Sequence, residues 1–253
     1  MYTIQKLKEL LSLAVLTAAI LLTGCTTTHL EFDRMVGTAF PTEQTLNGES
    51  SSLTSIYAGA GQLLSVEEDD TAIQPLRSGG VAQQCISDAE LATVEIANRD
   101  SNVAPTSSAC SFWIFSGTCT TYEAYGIVVD HQGQCGLSCT PNLLGCMYDT
   151  TNRGGFAVYY QNSTISSDGQ KFLRTTAHEL GHAFNLHHGD GSGSETLMNT
   201  TGTVGNTFTY TFSAASQGHL DNHDAVCRYP GTGAWASVNA AHATRHLGPA
   251  SCP

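Results

Sequence analysis

Between Thr175 and Met198 the chain reads TTAHELGHAFNLHHGDGSGSETLM. His178 and His182 are four apart, so on a helix they share one face, one turn apart. Two imidazoles in that relation can bind one metal ion. Glu179, directly after the first, can reach a water on that ion and take its proton. A third ligand cannot come from the next helical turn of a compact site, so the chain must bend first. Asn185 stands where the bend is needed, and asparagine tolerates the left-handed conformation better than any residue except glycine. His188 then folds back from outside the helix. His187 beside it can serve only with a different bend and is read as a neighbour. Three neutral imidazoles leave the fourth tetrahedral position open, as in catalytic zinc sites.

The string HELGHAFNLHH, with Leu197-Met198-Asn199 beyond it, resembles the metzincin clan of zinc metallopeptidases, which carry HExxHxxGxxH and a methionine-containing turn. The resemblance implies one catalytic Zn2+ on His178, His182 and His188. It implies Glu179 as general base and Met198 as the floor under the site. Asn185 replaces the usual glycine. Thr200, not tyrosine, lies two after Met198, so branches that add a tyrosine ligand are not matched. Gly189 after the third histidine assigns no family within the clan. The likeness covers about 167 to 199. A glutamate ligand from a later helix is the other arrangement open to an HExxH helix, but Glu195 is too close and sits in a Gly/Ser-rich loop.

Other clusters have plainer readings. His219/His223 and His242/His246 are also four apart, yet no glutamate adjoins the first of either pair, so both read as surface histidines. Cys25 aside, eight cysteines remain: Cys85, Cys110, Cys119, Cys135, Cys139, Cys146, Cys227 and Cys252. An even number in an exported chain reads as up to four disulfides, and the count allows 105 connectivities. Proximity favours Cys110–Cys119 and Cys227–Cys252. The run Cys135, Cys139, Cys146 can alternatively hold a second zinc.

Export itself is read from residues 1–24. Lys6 and Lys8 precede an apolar run, Leu10 to Leu22, that is short for a bilayer span. Leu22-Thr23-Gly24-Cys25 resembles a bacterial lipobox, which implies cleavage before Cys25 and lipid on it. The expected location is the cell envelope, facing away from the cytoplasm, or the medium after release. Loss of 1–24 removes Lys6, Lys8 and Glu9 and leaves 8 basic and 21 acidic residues, a net charge of −13. Such a surface disfavours nucleic acid and anionic lipid. The metzincin resemblance implies a protein or peptide substrate, and a monomer is expected.

Around the motif, residues 25–80 show little periodicity and read as a tether or a pro-segment, with a short helix within Leu53 to Val66. The domain proper is expected over 81–253. Ser87 with Glu90 forms a capping box for a helix to about Asn98. Phe112 to Phe115, Tyr125 to Val129 and Gly155 to Tyr160 read as strands. Ser167 with Gln170 opens the active helix, which runs to about Leu186. Phe208 to Phe212 reads as extended, Ser213 caps a helix to His223, and Ala234 to His246 reads as a last helix. The expected fold class is α+β and, by the resemblance, metzincin-like. A twisted sheet and the active helix form an N-terminal subdomain, a smaller C-terminal subdomain follows, and disulfides stabilise both. The expected function is zinc-dependent endopeptidase action on extracellular or envelope proteins, through a zinc-bound water with Glu179 as base. The competing class is a non-catalytic surface lipoprotein that keeps zinc for adhesion or binding.

Overall fold

The computed structural model describes residues 26–78, 80–100, 104–112, 115–135, 139, 142–188, 196–200, 208–222 and 225–232. The expected signal segment, lipid-bearing Cys25 and last helix lie outside them. In chain order the elements are β1 (Thr26–Arg34), β2 (Gln44–Leu46), β3 (Glu49–Ser51), α1 (Leu53–Ala58), β4 (Leu63–Glu68), β5 (Arg77–Ser78), β6 (Val81–Ala82) and β7 (Cys85–Ile86). Then come α2 (Asp88–Asn98), β8 (Thr106–Phe112), β9 (Phe115–Val129), β10 (Gln132–Gly133), β11 (Gly145–Met147), β12 (Gly155–Tyr159), α3 (Ser163–Ser167), α4 (Gly169–Ala183), α5 (Ala214–Asn222) and α6 (Ala225–Arg228).

The result is a mixed α/β fold on one six-stranded sheet, ordered β11-β12-β9-β1-β4, with β8 paired to the outer half of β9. The pairs β12/β9, β9/β1 and β1/β4 are parallel, whereas β11 and β8 run antiparallel to their partners. Parallel strands need covered faces. On one face Leu30, Phe32, Phe156 and Val158 pack with Leu173, Ala177 and Leu180 of α4 and with Ile56 and Tyr57 of α1. On the other, Tyr125, Ile127 and Ala157 pack with Leu91 and Val94 of α2. No helix among the described residues is long and apolar enough to cross a membrane.

The tether reading of 25–80 is corrected here. β1 lies inside the sheet, between β9 and β4, with Leu30 and Phe32 fully buried. Its TTTHLEFDR sequence looks polar because its second face buries acids. Asp33 accepts from the Tyr125 hydroxyl at 2.7 Å and the Asp70 N–H at 3.0 Å, and Glu31 accepts from the Asp100 N–H at 2.7 Å. Hydrogen-bonded acids can occupy a strand that hydrophobic periodicity does not register. Leu53 to Val66 divides into α1 and β4, so the expected short helix is only its first part.

Other elements follow the sequence more closely. The Ser87/Glu90 capping box opens α2. The expected strand at Phe112 to Phe115 is instead shared by two antiparallel strands, with Phe112 opposite Phe115; Trp113 and Ile114 lie outside the described residues. Tyr125 to Val129 is the buried inner half of β9. Asp168, not Ser167, caps α4, accepting from the Gln170 and Lys171 N–H groups. Ser213 accepts from the Ser216 N–H at 3.1 Å and starts α5. Disulfides join Cys85 to Cys139 and Cys135 to Cys146, which removes these cysteines as zinc ligands. Cys119 and Cys227 are also disulfide-bonded; the side chains of Cys110 and Cys252 lie outside the description.

Candidate metal centre

Helix α4 lies on the sheet beside β11 and β12, and every residue from Phe172 to Ala183 is buried. It ends as its sequence requires. Asn185 adopts φ 61°, the left-handed position expected of it. The Leu186 N–H donates to the Gly181 carbonyl at 3.0 Å and the Asn185 N–H to the His182 carbonyl at 2.8 Å, the paired bonds of a Schellman ending. Asparagine adds what glycine cannot: its Nδ2 donates to the Cys227 carbonyl at 2.9 Å. Two buried basic side chains take the last carbonyls, Arg153 on Ala183 at 3.1 Å and the His219 Nε2 on Phe184 at 3.1 Å. His219 is therefore interior, contrary to its surface reading; His223, His242 and His246 lie outside the described residues.

The bend brings His188 back to α4. The Nε2 atoms of His178, His182 and His188 stand 2.8, 3.0 and 3.1 Å from one another. His178 Nδ1–H donates to the Leu197 carbonyl and His182 Nδ1–H to the Leu186 carbonyl, both at 2.7 Å. A carbonyl only accepts, so both of these rings carry their proton on Nδ1 and turn an Nε2 lone pair toward the other. Facing lone pairs repel unless a cation lies among them. Two nitrogens on one tetrahedral zinc, each ~2.0–2.1 Å away, stand about 3.3 Å apart, close to this triangle. The chemistry of the donor set thus fits a metal ion, and these three are the metal-ligand cluster among the described residues. His187 is fully buried and outside the triangle, whereas His188 is exposed, which leaves one side of the site open.

Burial and neighbouring rings lower the proton affinity of His178 and His182. His178 is held well below the usual histidine range by burial first, then by His182 and His188. Burial, with His188, takes His182 down to about 3. Burial pushes the Glu179 carboxyl up to about 8, against the pull of Arg174 and the Met147 N–H that donates to it. Glu179 lies along edge strand β11. A Cβ on Gly145 would stand 2.5 Å from its Cγ and 2.7 Å from its Oε1, so only glycine leaves this carboxylate its place. Met198 is fully buried under the helix, and a Cβ on Gly181 would stand 2.5 Å from its Sδ.

Of the residues the sequence reading grouped, the three histidines meet; Glu179 lies on the same helix against β11, Asn185 at its left-handed end, and Met198 against its Gly181. Cys25 and Glu195 lie outside the described residues. The sequence reading did not single out Arg174, Gly145 or the Leu197 carbonyl. A charged residue one turn before His178, on a helix buried all round, was the available signal for the first. Compared with protein-family models, with curated proteins and with solved structures, the chain matches none.

Proposed function

We propose that this chain is a zinc-dependent endopeptidase of the metzincin kind. The observation that carries the reading is the convergence of three imidazole Nε2 atoms, two of them on the helix whose Glu179 carboxylate is buried against edge strand β11. The division of labour on α4 supports it: the helix face gives two ligands, the left-handed ending gives the third, and Met198 closes the floor.

His178, His182 and His188 would hold the ion. Zinc, when bound, lowers the pKa of a water at its open position and polarises the scissile carbonyl. The Leu197 and Leu186 carbonyls hold two of the imidazoles in the ligating tautomer. Glu179 accepts the proton of the attacking water on a carboxylate oxygen and passes it to the leaving amine. Burial, which pushes its carboxyl up to about 8, suits it to hold a proton near neutral pH, and Arg174 and the Met147 N–H favour its ionised form. The substrate adds to β11 as an extended strand. Cys146 faces β12, so the Gly145 backbone groups and the Met147 carbonyl turn outward, while the Met147 N–H already donates to the Glu179 carboxylate.

The expected place of action is the envelope, with lipid on Cys25. The purified mature domain, incubated with a broad peptide library and its products sequenced, is expected to cleave internal bonds and to stop when a chelator removes zinc. A zinc-loaded protein that cuts nothing, with its cleft uncovered, would favour the binding-module class instead.

A further inference from the structure

Arg174 precedes His178 by one helical turn on α4 and is 4% exposed. A guanidinium in such surroundings demands acceptors. Its Nη2 donates to the Leu197 carbonyl at 3.2 Å and also to the Asn199 carbonyl. Its plane lies over Phe208, 5.8 Å from the ring centroid. One side chain therefore grips the backbone on both sides of Met198. The Leu197 carbonyl is the one that receives the His178 Nδ1–H at 2.7 Å. The guanidinium thus satisfies two buried carbonyls of the turn and faces the buried Glu179 carboxylate, so it serves the turn's stability as well as its direction.

We propose that Arg174 is a positioning residue for the metal centre: by fixing the two carbonyls that flank Met198, it aims the Leu197 carbonyl at His178 and so fixes that ring's tautomer and direction. The inference rests on reading the triad as a metal site, and not on peptide hydrolysis. It places a fourth residue of α4, one that touches no ligand atom, in the control of metal affinity. The chain of contacts runs from Arg174 through the Leu197 carbonyl to the His178 ring, and partners of this kind typically change metal affinity by about 10–100-fold.

The test is zinc affinity, by competition with a chromophoric chelator, together with the visible spectrum of the cobalt-substituted protein. Full-length wild type is compared with Arg174→Met and Arg174→Lys. Arg174→Met keeps the stem and removes the donors. It is expected to weaken zinc binding about 10–100-fold and to shift the cobalt bands, and to lower the melting temperature of the chelated protein because two buried carbonyls lose their donor. Arg174→Lys keeps the charge without the planar fork and is expected to fall between the two. Wild-type affinity and an unshifted cobalt spectrum in Arg174→Met overturn the proposal, whatever happens to its melting temperature. If that variant fails to fold, the same wild-type result in Arg174→Lys overturns it. A wild type that binds no zinc overturns the metal-site reading, and this proposal with it.

Discussion

At the scale of the residue, Asn185 shows how local conformation builds a metal site. Its φ of 61° ends the helix, and its amide ties the bend to Cys227. Asn185→Gly keeps the conformation and loses the amide bond, so it is expected to retain full zinc and most activity and to lose about 0.5–1.5 kcal/mol of stability in denaturant titration. Asn185→Val places a β-branched residue at positive φ and is expected to lose zinc affinity as well. Equal zinc affinity in the two variants would detach the bend from the site. The residues of the triad were legible in the sequence because helical spacing and ligand chemistry are both local. Arg174 and Gly145 were not, because their roles depend on the 197–199 turn and on β11, which only the folded chain brings to α4.

At the scale of the element, the active helix and β11 form one unit. Gly145→Ala would put a methyl group 2.5 Å from the Glu179 Cγ, forcing the carboxylate to move. The expected result is a loss of about 10–100-fold in peptide hydrolysis at unchanged zinc content, because small misplacements of a catalytic group are costly. Unimpaired hydrolysis in that variant would show that the carboxylate is not set by the strand. The elements most readable beforehand were the capped helix α2 and the apolar strands of the inner half of β9 and of β12, where burial and periodicity agree. The least readable was β1, whose buried face carries Glu31 and Asp33 and whose place depends on Tyr125, Asp70 and Asp100.

At the scale of the molecule, β1 starts at Thr26, immediately after the proposed lipid-bearing Cys25, and Thr26 already pairs with Thr120. An anchor there leaves no spacer between lipid and sheet. Cys25→Ser is expected to move the protein from the membrane fraction to the soluble one, or to leave it unprocessed; unchanged lipid labelling and fractionation would remove the lipoprotein reading. The site also gives the metal-free chain a pH signature. His178 and His182 have depressed proton affinity when folded, so their stability contribution is present above about 6.5 and is lost as pH falls below it. Glu179 has raised affinity, so its contribution is present below about 4.5 and is lost as pH rises toward about 8. The site's contribution is therefore expected to fall on the acid side, as the unfolded histidines take up protons, and on the alkaline side, as Glu179 loses its own. Melting temperature of the chelated protein from pH 4 to 9 checks this.

The central claim is that three histidines hold zinc while Glu179 moves the proton. The most direct measurement is zinc content and peptide hydrolysis of Glu179→Ala beside wild type, on a peptide that wild type cuts and a chelator protects. The account predicts one zinc per chain in both proteins, with hydrolysis by the variant lower by at least about 10²–10⁴-fold. Hydrolysis by Glu179→Ala at the wild-type rate, with zinc bound, would contradict it.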